Sequence, residues 1–202
     1  MKIFCIGRNY VAHIQELSND MPTEPLVFMK PATALLHDNK PFYHPNFTEN
    51  IHHEVEVVVK ISKNGKSILP EFANNYFEEV GLGIDFTARD IQDRLKIQGH
   101  PWEKAKAFDQ SAVIGKFIPK SDVDLDNLSF QLFKNETLVQ DGNTSLMMFR
   151  IPAIISHIST FFTLQKGDLI YTGTPSGVGK IQIGDTLIGY LNNEQNFECI
   201  IK

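Results

Sequence analysis

Glu54 and Glu56 stand one residue apart in "HHEVEVVVKI", residues 52 to 61, a valine-rich stretch of strand character. Side chains alternate faces along a strand, so the two carboxylates share a face with Val58 while Val55, Val57 and Val59 line the other. A half-exposed strand with its polar face in water accounts for this on pattern alone. A cation site accounts for it as well, because Mg²⁺ or Ca²⁺ takes carboxylate oxygens and offsets the repulsion between them. Asp85, in "GLGIDFTARD" at the end of an expected strand flanked by glycines, is either a turn or cap residue or a third oxygen ligand. Three protein carboxylates leave an octahedral cation open positions for water and a chelating substrate, which is a catalytic arrangement. On that reading the carboxylates repel one another, and removing any one should raise metal-free stability.

Other residues carry chemistry of a second kind. His13 and Glu16, at i and i+3 of a helix, share a face, so the carboxylate can orient the imidazole or work with it on a water molecule; a solvated surface pair has the same spacing. "PWEKAKAFD" (101–109) sets Lys104 and Lys106 between Trp102 and Phe108, which points to one partly buried stem and a cation able to hold a developing anion. "TGTPSGVGK" (172–180) is not a phosphate loop, because Ile181 follows Gly-Lys where Ser or Thr must reach Mg²⁺. It reads as a turn-rich loop offering Thr hydroxyl and backbone donors to a carboxylate.

The elements that must position these residues are mostly short strands. "GRNYVAHIQEL" (7–17) spaces Tyr10, Ile14 and Leu17 for a short amphipathic helix behind a candidate N-cap, Asn9, with Ser18, Asn19, Asp20 and Pro22 ending it. Strands are expected at "LVFMK", around Glu54, at "VGLGIDFT", at "LSFQLF" turning through Asn135 and Glu136 into "TLVQ", and after the Gly-Asp turns at 167–168 and 184–185. Two more helices are expected, "ARDIQDRLKIQ" (88–98), with its charges on an exposed face, and "IPAIISHISTFF", with Pro152 at its first helical position. The 202 residues, 42% of them hydrophobic, suffice for one well-cored domain spanning 1–202. A net charge of −5 argues against a nucleic-acid partner. No apolar run reaches bilayer-spanning length or forms a secretory leader, so a cytoplasmic protein is expected, with Cys5 and Cys199 as reduced structural thiols.

Taken in order, "GRNYVAH", "FMKPATALL", "HHEVEVVVKI", "GIDFTARDIQ", "PWEKAKAFD" and "TGTPSGVG" resemble the fumarylacetoacetate hydrolase family over nearly the whole chain. Within it the sequence is similar to the short acylpyruvase and oxaloacetate decarboxylase branch, which carries the HxxE arrangement of His13 and Glu16 and lacks the N-terminal domain of longer relatives. The resemblance implies an α+β, mainly β fold, a mixed β-sandwich roll, with a short lid helix within residues 1–22. It implies a homodimer and Mg²⁺ or Mn²⁺, with Ca²⁺ able to stand in within a crystal, held by Glu54, Glu56 and Asp85. It also implies that Arg8, Gln92, Lys106 and Thr174 contact a small 2-oxo acid and that His13 and Glu16 lie on the lid. Leu146, Arg150 and Lys180 depart from the family pattern and bear on loop and dimer details.

The implied reaction is hydrolysis of an acylpyruvate such as fumarylpyruvate or acetylpyruvate. The C1 carboxylate and C2 oxygen chelate the cation, His13 and Glu16 activate water against C4, and Lys106 holds the enolate charge as the C3–C4 bond breaks. Oxaloacetate bound in the same way would lose CO₂. Isomerase or tautomerase chemistry, or decarboxylation of 2-oxo dicarboxylates in aromatic catabolism, is the alternative on the same platform, and a non-catalytic oligomeric binding protein is a third reading that the intact carboxylate set disfavours.

Overall fold

A computed structural model describes residues 1–17, 20–36 and 39–202. The chain is mainly β, as expected. Its largest sheet runs, in spatial order, β2 (Leu26–Lys30), β1 (Ile3–Gly7), β12 (Leu169–Tyr171), β5 (Val55–Ile61), β6 (Phe77–Asp85), β8 (Ala112–Ile114) and β3 (Leu35–Leu36), with β9 (Ile118–Pro119) also pairing β6. A second sheet is β11 (Thr137–Asn143), β10 (Ser129–Lys134), β14 (Thr186–Leu191) and β15 (Glu194–Ile200). A small third sheet joins β13 (Gly179–Lys180), β4 (Ile51–His53) and β7 (Thr87–Ala88). The helices are α1 (Val11–Glu16), α2 (Arg89–Gln98), α3 (Glu103–Lys106) and α4 (Ile151–Phe161).

The half-exposed reading of the glutamate strand fails, because β5 is covered on both faces. Val55, Val57 and Val59 enter the main core with Phe4, Leu82 and Ile154, while Val58 packs into a second cluster with Ile3, Cys5, Leu169 and Tyr171. From Val55 to Val59 the strand is buried, water being reached at Lys60 further along, so the charge of Glu56 must be compensated by protein or ligand. Both cysteines are free and buried, as expected.

The first strand escapes local pattern reading. "IFCIG" pairs in parallel with β12 (Ile3 opposite Leu169) and antiparallel with β2, so it is placed by partners far along the chain. The hairpin β10–β11 is the opposite case. It turns at Asn135 and Glu136, both at positive φ (48° and 68°), as expected for a tight turn between strands.

Helix α1 begins after Tyr10, which makes no side-chain cap, so Asn9 is not the N-cap. Asn9 is instead fully buried and serves as a clamp. Its amide nitrogen donates to Phe149 O (3.0 Å) and Thr172 O (2.8 Å), and its oxygen accepts from Phe149 N (2.7 Å). Two residues expected to end α1, Ser18 and Asn19, lie outside the described residues. Among the described residues no helix is long and apolar enough to cross a membrane.

Candidate active site

Strands β5 and β6 bring the three acidic residues together. Their antiparallel register sets Glu56 opposite Gly83, and the Asp85 backbone N–H donates to Glu54 O at 2.8 Å, so the end of β6 meets the irregular step between β4 and β5 where Glu54 sits. Gly83 is required there, since a Cβ would strike the Val113 carbonyl and the Tyr171 ring. Ligand oxygens of Glu54, Glu56 and Asp85 lie within 4.8 Å of one another, and all three side chains are buried.

The repulsion expected among them is largely cancelled by neighbours. Lys106 Nζ lies 2.7 Å from both Glu54 Oε2 and Asp85 Oδ2. The other Asp85 oxygen is 2.7 Å from Lys30 Nζ, an ion pair without hydrogen-bond alignment, and the other Glu54 oxygen accepts from Arg89 Nη2. Of the three, Glu56 alone makes no ion pair among the described residues; its Oε2 accepts from Gly173 N at 2.7 Å. Burial works to raise the Glu54 pKa, but Lys106 and Arg89 overcome it and hold that carboxyl well below the usual range. Burial and the charges of Asp85 and Glu54 push Glu56 well above the range. A pocket of buried, convergent carboxylate oxygens, one of them uncompensated, is a donor set suited to a hard divalent cation. The expectation that losing any one carboxylate raises metal-free stability is therefore corrected for Glu54 and Asp85, whose loss would leave buried cations unpaired.

Around this floor lies a cleft with a volume of about 40 Å³, lined by Arg8, His13, Phe28, Gln92, Lys96, Trp102 and Thr174 among others. Lys106 is buried while Lys104 is exposed, as the aromatic flanks suggested, but the ring beside Lys106 is Phe28, with Nζ 5.2 Å from its centroid. Phe108 packs against Phe42 and Phe47 instead.

On α1, His13 Nδ1 bonds Glu16 Oε2 at 3.2 Å, and the other Glu16 oxygen accepts from Gly177 N at 3.0 Å. Glu16 therefore lies behind the imidazole rather than in the cleft lining. Since a carboxylate accepts, His13 Nδ1 carries the proton and Nε2 the free lone pair. Burial pushes the His13 pKa below its ordinary 6.5, with Glu54 and Glu16 opposing, which favours the neutral base at neutral pH.

The loop after β12 supplies backbone N–H groups to Glu56 and Glu16, and hence holds two site carboxylates of the protein itself. Its Thr174 hydroxyl accepts from Gln140 Nε2 at 2.8 Å, which leaves the hydroxyl proton for an acceptor in the cleft. Gln140 is fully used: Nε2 also reaches Pro175 O, and Oε1 accepts from Val55 N and meets His53 Nδ1.

Sequence reasoning missed Gln140, Lys30 and Arg89. Lys30 sits within the motif "FMKPATALL", and its buried ammonium also donates to Ser111 and to the Lys106 carbonyl. Arg89 was legible in principle, one helical turn before Gln92, whose Oε1 accepts from Arg89 Nη1 at 2.7 Å.

The model of the fumarylacetoacetate (FAA) hydrolase C-terminal family matches residues 2–197. The chain belongs to the fumarylacetoacetate hydrolase family. A mitochondrial oxaloacetate tautomerase of Bos taurus is 42% identical over 186 residues, covering 92% of this chain and 84% of its own. A mitochondrial oxaloacetate decarboxylase of Dictyostelium discoideum is 39% identical over 206 residues, covering 100% and 94% respectively. The crystal structure of fumarylpyruvate hydrolase from Pseudomonas aeruginosa with Mn²⁺ and pyruvate matches with a TM-score of 0.94 at 34% identity, over 100% of this chain and 89% of that one. These members of the fumarylacetoacetate hydrolase family thus include enzymes named for tautomerase, decarboxylase and hydrolase chemistry.

Proposed function

We propose that this chain is a divalent-metal-dependent enzyme acting on small 2-oxo acids through an enolate, with keto–enol tautomerisation of oxaloacetate as its main reaction. The observation that carries the reading is the junction of a three-carboxylate floor with Lys106 and a Glu16-oriented His13 on the facing helix. The relatives named for oxaloacetate reactions move its preferred substrate from the acylpyruvates to oxaloacetate.

Glu54, Glu56 and Asp85 would hold Mg²⁺ or Mn²⁺, which when bound supplies Lewis acidity toward the C2 oxygen. His13 Nε2 takes a proton from C3, and Glu16 stabilises the imidazolium that forms. Lys106, with Arg89 beside it, offsets the charge that moves onto the C2 oxygen. Gln92, whose Oε1 is occupied by Arg89, has its amide nitrogen left to orient the substrate, and Thr174 donates its hydroxyl proton to a carboxylate oxygen. Returning a proton to the C2 oxygen completes the enol. Loss of the C4 carboxylate as CO₂ instead gives the three-carbon pyruvate enolate, stabilised by the same groups, and needs no base.

Acylpyruvate hydrolysis is the second reading, favoured by the same His13–Glu16 pair, which can activate a water against C4. The test is to assay the Mg²⁺-loaded protein for oxaloacetate tautomerisation, oxaloacetate decarboxylation and acetylpyruvate cleavage. Tautomerisation should be fastest. Cleavage of acetylpyruvate without acceleration of either oxaloacetate reaction would overturn the main reading in favour of the hydrolase. The homodimer implied by the resemblance is retained as part of this proposal, to be measured by light scattering.

A further inference from the structure

Helix α2 was expected to turn its charges to solvent, yet Arg89, Gln92 and Lys96, at i, i+3 and i+7, all line the cleft while Ile91 and Leu95 enter the core. Lys96 is half-buried, with Nζ 5.7 Å from the centroid of the Trp102 ring, and Trp102 is braced in turn by Phe28 at 5.9 Å. The lysine thus rests on an aromatic platform at the edge of the site.

The charges of the cleft divide into two sets. Glu54 and Asp85 are met by Arg89, Lys106 and Lys30, so with Glu56 the floor holds three carboxylates and three cations. Arg8 and Lys96 line the same cleft and form no ion pair among the described residues; the polar contact of Arg8 is a long 3.4 Å bond to Asp20 O. Burial, then Arg89, Arg8 and Lys106, press the Lys96 ammonium toward losing its proton, with only Asp93 opposing. Like charges gathered with Asp93 as their counterweight are unfavourable in the free protein and are relieved by a ligand that brings a further anion. With a divalent cation on the floor the surplus grows, and a single carboxylate engaged at the metal leaves the rim uncompensated.

We propose that Lys96, assisted by Arg8, receives the distal carboxylate of a four-carbon 2-oxo dicarboxylate and so selects dianionic substrates over monoanionic acylpyruvates. This deepens the proposed function and rests on it. Lys96 is a specificity-determining residue here: it touches the end of the substrate away from the C2–C3 bond, where its interaction serves binding more than turnover.

The experiment compares binding of L-malate and L-lactate to the Mg²⁺-loaded protein by calorimetry. The two share a 2-hydroxy acid head and differ by the distal carboxylate. The parent should prefer malate, and Lys96→Met should weaken malate by about tenfold while lactate stays within about twofold. Lys96→Arg should keep the preference, which separates charge from fold. In turnover, Lys96→Met should raise KM for oxaloacetate more than it lowers kcat and leave KM for acetylpyruvate unchanged. Equal weakening of malate and lactate, or a malate preference that survives Lys96→Met, would overturn the assignment. If the parent fails to turn over oxaloacetate, the proposed function falls, while the malate and lactate measurement still reports on the rim.

Discussion

The floor of the cleft stands on β5 and β6 and holds its carboxylates among lysines withdrawn from solvent, whereas its cover, α1, is six residues long and has no side-chain cap. The floor is fixed by sheet register and by ion pairs at 2.7 Å; the cover is joined to the opposite loop through Glu16 and Gly177 at the exposed edge. The difference separates two requirements of the same chemistry. Groups that must hold charge at fixed spacing stand on the central strands, and the imidazole facing them stands on a short helix held at its two ends.

The contrast is broken most severely from below. Asp85→Ala should abolish Mg²⁺ binding in calorimetry and all turnover, and it should destabilise the metal-free protein by about 3–5 kcal/mol in denaturant unfolding, since buried Lys30 loses its carboxylate and Lys106 is left with Glu54 alone. Glu56→Gln removes the one carboxylate without a cation, so it should weaken metal binding while metal-free stability holds or rises. Equal stability losses in the two variants would show that the cations do not compensate Asp85. Next in size, Lys106→Met should lower turnover by about a hundredfold for oxaloacetate and acylpyruvate alike. Normal rates on both would remove Lys106 from charge stabilisation.

Changes to the cover should act selectively. Glu16→Ala should slow tautomerisation and any acylpyruvate cleavage by about a hundredfold, because both need proton transfer through His13, and slow decarboxylation less. Equal losses in all three assays would reduce α1 to a water-excluding cover. Because the His13 pKa is depressed, the imidazole stays neutral until the pH falls below its ordinary 6.5, so the acid limb of the tautomerisation profile should lie under that value. A limb above it would point to another base. The smallest effect is expected at exposed Lys104, where Lys104→Met should leave every rate within about twofold of the parent.

The same contrast explains what could be read from the chain beforehand. Strand alternation places Glu54 and Glu56 on one face but does not say whether that face meets water or a cation; the cation entered through the family resemblance. The β10–β11 hairpin is legible because its turn is local. His13 and Glu16 are legible from one helical turn. Lys30, Arg89 and Gln140 are not, because their meaning arises where distant elements meet: Lys30 reaches Asp85 across the sheet, and Gln140 reaches Thr174 from the second sheet. Lys96 misleads for a related reason. A lysine on an amphipathic helix looks solvated until tertiary packing lays it over Trp102. Asn9 has the residue type of a helix cap and is used to tie two remote segments together.

That last use gives the cover a fulcrum. With both ends of its amide committed to the backbone at Phe149 and Thr172, Asn9 cannot travel with the helix, and the chain behind it is locked into β1. Tyr10 is bridged to Met147 as well, so α1 leaves from a fixed point and its six residues reach about 9 Å beyond it at 1.5 Å per residue. His13, on the first turn of α1, therefore stands within one turn of a fixed anchor, and that anchor sets where the imidazole sits over the cleft.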